Sequence, residues 1–442
     1  MKPGPWTIGC LLLSLAAAPA ARAAPAAAAP ATQPAPFELK DGDRVVFVGG
    51  TFMEREAQFG YIETMLTTRF PDRNVTFRNL GYAGDTVACE ARRICQGWAT
   101  FGGPDEGFNR LKALVQEIQP TVIVAAYGMG ESFGGEAKLP EFVDKYNRLL
   151  DMLTTAGGVP AEQVRVVLLS PTYHENMGPP LPDPAEHNKN LEAYSAAIKG
   201  IAEKRGHRFV DLFTPSKAGN PWEGFTENGL HLDARGYWLA ALAVADQLGF
   251  PRDSANVTID KSGTVKVDGP VKITNAQPWA DNRMSFTVDE PFLPTPVPPG
   301  SWKMAAAAGE GTQAITFSGL DVEHLTLTNG TDRVVAWRDA ADMSFDLVLA
   351  RNEPAEQLRR LIVTKNADFF NYWRPENDTY ILGYRKGEQG RNAVELPQFK
   401  PLVEAKEKEI ANLRKPKPVT WTLEPSQVGD HQRQKGGLRL TD

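Results

Sequence analysis

The chain has 442 residues, 42% of them hydrophobic and 23% charged, with a formal net charge of −6. This is the make-up of an ordinary soluble globular protein, and the length allows two or three domains. The mild charge and the lack of any Lys/Arg run exclude nucleic acid as the main partner.

Residues 1–23 read as a secretory signal. Lys2 gives a positive start, residues 6–18 an apolar core too short to span a bilayer, and Ala21-Arg22-Ala23 a small-residue cleavage site. An Ala/Pro linker follows over 24–38. The leader predicts a secreted or periplasmic protein, and no later apolar run of about 18 residues predicts a membrane span. Cys89 and Cys95 are the cysteines left after cleavage. In an oxidising compartment they are expected to form a loop disulfide. Two cysteines without a nearby His pair are not a metal set, and neither a metal nor an organic cofactor is expected.

Residues 39–250 alternate strand and helix. The stretch 44–55 opens the unit, with a buried apolar strand over 45–48 that stops at Gly49-Gly50 and is followed by Thr51. Further short, β-branched strands lie at 75–78, 122–126, 164–169 and 208–212. Helical patterns occupy 61–69, 108–118, 142–153, 191–204 and 232–248. Residues 108–118 carry apolar side chains at 108, 111, 114, 115 and 118, one face of a helix. Five such repeats imply a five-stranded parallel sheet between helical layers. The loops after its first three strands then meet at one edge.

The texture changes after Pro251. Residues 251–352 hold eight short strand candidates separated by Gly, Pro and Asn turns, as in an antiparallel sandwich. The Pro-rich stretch 291–299 cannot be a central strand. Residues 353–414 form a helical segment with helices at 357–370 and 403–413, joined by an aromatic and Arg-rich strap. Residues 415–442 read as an extended or disordered tail.

Four loops carry the residues of chemical interest. They are Gly49-Gly50-Thr51, the stretch from Asn79 to Thr86, the stretch from Tyr127 to Ser132, and Glu227-Asn228-Gly229-Leu230-His231. The first three follow strands, and the fourth precedes the last helix of the unit. Ligands of open parallel sheets bind at the carboxyl ends of the strands. Ester hydrolysis needs a nucleophilic hydroxyl, a base for its proton and N–H donors for the oxyanion. These loops offer all three.

On those blocks the sequence resembles the SGNH (GDSL-type) hydrolases over about residues 44–250. The resemblance implies a five-stranded α/β/α sandwich. It places Thr51 at the nucleophile, His231 at the base, and Gly84 and Gly130 at the oxyanion positions. Asn228 falls on the aspartate that orients the base. The sequence also departs from the family pattern. Gly50 replaces the first block's aspartate, Thr51 its serine, Gly130 the oxyanion asparagine and Asn228 the last aspartate. Losing one oxyanion donor costs about 10²–10³ in rate. Losing the carboxylate behind the base costs about 10⁴. Glu227 or Asp233 is a candidate substitute carboxylate.

Two readings follow. One is a weakened or modified esterase acting on a small-molecule or carbohydrate ester, an O-acetyl ester by analogy with exported relatives. The other is a hydrolase fold that binds glycan without turnover. Glu54, Arg55, Glu131, His174, Trp373 and Arg374 are candidate substrate-binding residues. Each also has a structural reading: a surface ion pair for Glu54 and Arg55, a satisfied loop histidine for His174, a strap packed on the core for Trp373 and Arg374. Ser132 reads as an alternative nucleophile or a helix-start cap.

Overall fold

The computed structural model describes residues 35–93, 95–96, 99–100, 103–217, 224–310, 313–322, 324–337, 343–346, 348–375, 381, 385, 387–388 and 392–426. The expected signal, most of the linker and residues 427–442 lie outside the described residues. Among the described residues, no helix is long and apolar enough to cross a membrane.

The sheet expected from the sequence is present. Its strands are β1 (Arg44–Gly49), β2 (Thr76–Gly81), β3 (Val122–Ala126), β4 (Arg165–Leu169) and β5 (Arg208–Val210). They run parallel in the order β2-β1-β3-β4-β5. Alternate residues of one strand face opposite layers. Val45 and Phe47 join the core under α2 (Tyr61–Arg69) and α6 (Ala234–Leu248). Val46 and Val48 join the core under α3 (Glu106–Ile118), α4 (Leu139–Thr155) and α5 (Ala185–Arg205). Burial on both faces explains why these strands read as continuous apolar runs.

Two helices depart from the sequence reading. A helix, α1 (Thr51–Phe59), starts directly after Gly50. Its polar sequence carries no side-chain cap, so no start signal marked it. The last helix of the unit begins at Ala234, capped by Asp233, whose carboxylate accepts from the Arg235 and Gly236 N–H groups.

Two further sheets pack face to face. One has the strands β8 (Lys272–Thr274), β9 (Met284–Asp289), β14 (Val419–Pro425), β11 (His324–Thr328) and β12 (Arg333–Trp337), in that spatial order. The other runs β13 (Met343–Asp346), β10 (Gln313–Ser318), β6 (Ala255–Asp260), β7 (Val265–Asp268). Phe286, Phe317, Phe345, Leu325 and Trp421 fill the space between them. β6 and β10 pair in parallel, unlike the antiparallel pattern expected. A long connection through three strands and α7 (Trp302–Ala308) separates them, where a hairpin would force antiparallel pairing. β14 comes from near the end of the chain and sits centrally, between β9 and β11.

α8 (Val348–Trp373) and α9 (Phe399–Leu413) pack on each other, and α8 also lies on α1, α2 and β2. The join is partly ionic. Lys365 pairs with Glu63 of α2, both side chains buried, and Asn366 Nδ2 donates to Glu63 Oε2 at 2.9 Å. Breaking a buried pair by removing one partner typically costs about 3–5 kcal/mol. The helical segment is therefore fixed to the α/β unit.

Candidate active site

The four loops converge where the sheet topology requires. Gly50, Thr51, Gly84, Gly128, Gly130, Pro171 and His231 all line one cavity of about 190 Å³ at the carboxyl ends of β1 to β4. Thr51, the first residue of α1, has a backbone N–H with no intrahelical partner by position. Its Oγ1 accepts a hydrogen bond from the Gly84 N–H at 3.0 Å. Gly84 holds φ +71°, a conformation that side chains rarely adopt. That turn aims the N–H at the Thr51 oxygen. The helix N-terminus adds a partial positive field suited to an oxyanion.

Gly50 explains the first departure from the family pattern. A Cβ here would lie 2.9 Å from the Asp85 carbonyl oxygen. The tight approach leaves no room for an aspartate. Gly130 differs, since a Cβ there would meet nothing within 4 Å and its φ is −70°. The oxyanion side chain is missing at Gly130, but its space is open.

His231 sits on a short hairpin, where the Glu227 N–H donates to the His231 carbonyl at 2.8 Å. Burial lowers its pKa, the Arg55 guanidinium lowers it further, and Glu227 opposes them. The ring is therefore neutral at pH 7, as a base must be. Its tautomer is the problem. Asn228 Oδ1 accepts from the backbone N–H groups of Leu230 at 3.2 Å and His231 at 2.9 Å. That fixes which end of the amide is which. The Asn228 NH₂ thus faces His231 Nδ1, at 3.2 Å, and donates to it. The ring proton is left on Nε2. The nitrogen that remains for the cavity is a donor, where a general base needs a lone pair.

Neither expected substitute carboxylate reaches Nδ1. Glu227 pairs with Arg55 at 2.7 Å, and Asp233 caps α6 and pairs with Arg235. No direct hydrogen bond joins Thr51 and His231 among the described residues; each has its own partner.

The candidate substrate-binding residues divide. Arg55 and Glu131 line the cavity. The Glu131 carboxylate is taken up by the Val87 N–H at 2.8 Å and the Gly128 N–H at 2.9 Å. It ties the second loop to the third. Glu54 lies behind the site, pairs with Arg374, and accepts the Ala83 N–H at 2.6 Å. The Arg374 guanidinium stacks over Tyr82 at 3.4 Å. This braces the Gly84 loop from outside the cavity. Trp373 is buried against Phe370 and Tyr82. The strap reading holds for both residues.

His174 is buried and does not line the cavity. Its Nδ1 faces Nδ1 of His187 at 2.9 Å, so one proton is shared between the rings. His187 Nε2 meets Ser132 Oγ at 2.7 Å. Ser132 is fully buried and is neither an exposed nucleophile nor a cap. The sequence reading missed His187, which lies 55 positions from Ser132. It also missed Phe133, whose exposed ring stacks on His187 at 3.8 Å beside the cavity mouth.

The expected disulfide is not made. Cys89 is a free thiol turned into the core beside Leu111, and burial pushes it up to about 12. The Cys95 side chain lies outside the described residues.

Residues 42–239 match the family model of the GDSL-like lipase/acylhydrolase family. Comparison with curated proteins yields no match. Among solved structures, BT4096, a gut microbial diltiazem-metabolizing enzyme, aligns with a TM-score of 0.68 at 16% identity, covering 88% of this chain and 99% of its own. At that identity the likeness speaks for the fold. The acetylxylan esterase Axe2 from Geobacillus stearothermophilus, solved as a catalytic mutant, covers 48% of this chain and 97% of its own, at 18% identity and a TM-score of 0.33. Est24, a carbohydrate acetylesterase from Sinorhizobium meliloti, covers 47% and 98%, at 16% identity and 0.35. Parallel sheet, convergent loops and matched segment together make the α/β unit of this chain similar to the GDSL-like lipase/acylhydrolase (SGNH) family.

Proposed function

We propose that the protein is an exported ester hydrolase of restrained turnover, with Thr51 Oγ1 as nucleophile and His231 as base. The observation that carries this reading is the Gly84 N–H held 3.0 Å from Thr51 Oγ1 at a helix N-terminus. Attack by Oγ1 on the ester carbon would put the carbonyl oxygen beside the Gly84 and Thr51 N–H groups. The Thr51 proton passes to His231 Nε2 once the ring has changed tautomer. It is then delivered to the leaving alkoxide. Water hydrolyses the acyl-threonine by the same route.

A cavity of about 190 Å³ suits a short acyl group. The exposed Phe133 ring at its mouth offers a flat apolar face. These two features support a carbohydrate O-acetyl ester, whose sugar ring would rest outside against Phe133. The Asn228 amide favours a second reading, glycan binding without turnover, because it holds the base in the unproductive tautomer.

Hydrolysis of an aryl acetate separates the two. The esterase reading expects a rate above background that both Thr51→Ala and His231→Ala abolish. Equal background rates in all three proteins would leave binding only.

A further inference from the structure

The His231 ring takes its hydrogen bond from Asn228, a residue of the same turn, so that contact cannot tie the ring to the rest of the site. The place of the ring is set by the backbone that carries it. That backbone is a hairpin closed by the Glu227 N–H on the His231 carbonyl and, at 2.9 Å, by the Asp233 N–H on the Phe225 carbonyl.

Glu175, on the loop after β4, holds this hairpin by three hydrogen bonds. Its backbone N–H donates to the Gly229 carbonyl at 2.8 Å. One carboxylate oxygen accepts the Gly224 N–H, and the other accepts the Thr226 hydroxyl. With its proton spent on Glu175, Thr226 Oγ1 offers a lone pair to the Gly229 N–H, at 3.0 Å. Gly229 holds φ +86°, and a Cβ there would lie 2.7 Å from the Glu175 carbonyl oxygen. Only glycine allows so close an approach.

The grip is itself anchored. The His174 N–H donates to Asn188 Oδ1, and Asn188 Nδ2 donates back to the His174 carbonyl, both at 2.8 Å. Asn188 is buried on α5. An exposed carboxylate in a lone ion pair is worth little. Here one carboxylate accepts two hydrogen bonds from a single hairpin, and charge-assisted bonds are the strong ones. Arg55 holds the far side, through the Leu232 carbonyl at 3.2 Å and Glu227. Without Glu175 the hairpin would be held from the Arg55 side alone and could pivot, carrying His231 with it.

We propose that Glu175, acting through the Thr226 hydroxyl, is a positioning residue for the base: it fixes the turn from which His231 reaches the cavity. The inference rests on the reading of His231 as the base. Glu175 does not line the cavity, so its effect should fall on turnover and spare binding.

The test measures p-nitrophenyl acetate kinetics together with an NMR titration of the His231 ring, its signal assigned by its loss in His231→Ala. Glu175→Ala should lower kcat about 10–10²-fold, the scale of a small misplacement of a catalytic group, with KM little changed. Its His231 ring should titrate closer to the ordinary histidine value, because a swung ring leaves the burial and the Arg55 charge that now lower it. Glu175→Gln should recover most of the loss, since its amide can still accept from Gly224 and meet the Thr226 oxygen. Thr226→Val removes the hydroxyl alone and should reproduce the Glu175→Ala effects. It decides the matter if Glu175→Ala does not fold. A His231 titration unmoved in the folded variants would overturn the proposal, as would a rise in KM with kcat unchanged. Should the parent protein show no turnover, the esterase reading fails, and the ring titration, which needs no turnover, decides alone whether Glu175 positions His231.

Discussion

Asn228→Asp exchanges one nitrogen for oxygen beside His231 and changes what the ring can do. The Leu230 and His231 N–H groups would keep their acceptor, so the side chain should hold its position. The new oxygen would stand where Nδ2 now lies, 3.2 Å from Nδ1. Two acceptors cannot face each other without a proton, so the proton moves to Nδ1 and Nε2 gains the lone pair. The carboxylate also stabilises the imidazolium formed during attack. At an effective dielectric near 20, charges so spaced attract by on the order of 5 kcal/mol before desolvation is counted. The opposite exchange in a serine protease costs about 10⁴ in kcat. With threonine as nucleophile and one oxyanion donor missing, a gain of about 10²–10⁴ in kcat is expected, again by that comparison. The assay is p-nitrophenyl acetate hydrolysis across pH. The variant should show a rising limb from a histidine whose pKa now lies above that of the parent. A rate within about twofold of the parent would refute the tautomer argument, since it corresponds to well under 1 kcal/mol. So would a gain that survives Thr51→Ala.

Gly130→Asn restores an oxyanion donor where a side chain fits unstrained, and should raise kcat by about 10²–10³ in the same assay. Arg374→Ala frees Glu54 and loosens the Ala83–Gly84 turn. It should lower kcat by about tenfold, the worth of roughly one misplaced oxyanion hydrogen bond, with KM little changed. Glu56 is buried, and burial pushes its carboxyl up from 4.5 to about 8 despite hydrogen bonds from the Ile62 and Glu63 N–H groups. Between pH 4.5 and 8 the folded protein holds a proton that the unfolded chain has released. That stabilisation is full below 4.5 and is lost as pH rises to 8. Glu310, pushed to about 8 by burial and by Asp253, shares the window. Thermal melts should show Tm falling with pH there, and Glu56→Gln should flatten the slope. An unchanged slope would contradict the assignment.

How much of this could be read from the chain depended on how local each signal was. The strands showed because Val45–Val48 and their counterparts are buried on both faces, which leaves continuous apolar runs. The glycine loops showed because they follow those strands directly. The start of α1 was hidden, since Thr51–Phe59 has neither a capping side chain nor an apolar stripe at its head. Trp373 and Arg374 sat in a polar, aromatic stretch that gave no periodicity, and only their contacts with Tyr82 and Glu54 reveal them as a brace. The Ser132–His187–His174 chain joins residues from three separate segments, so no spacing announced it. The cysteine pair misled because proximity along the chain was read without direction, and Cys89 turns inward. Most consequential was Asn228. Its identity was plain, but the end of its amide that faces His231 is set by two backbone N–H groups, which no pattern of residues records.

The account rests on position 51 as the attacking group. Incubation of the protein with a fluorophosphonate, followed by peptide mass spectrometry, tests it directly. A single adduct on the peptide containing Thr51, absent from Thr51→Ala and faster to form in Asn228→Asp, is the predicted result. Ester hydrolysis persisting in a protein whose adduct maps to another residue would contradict it.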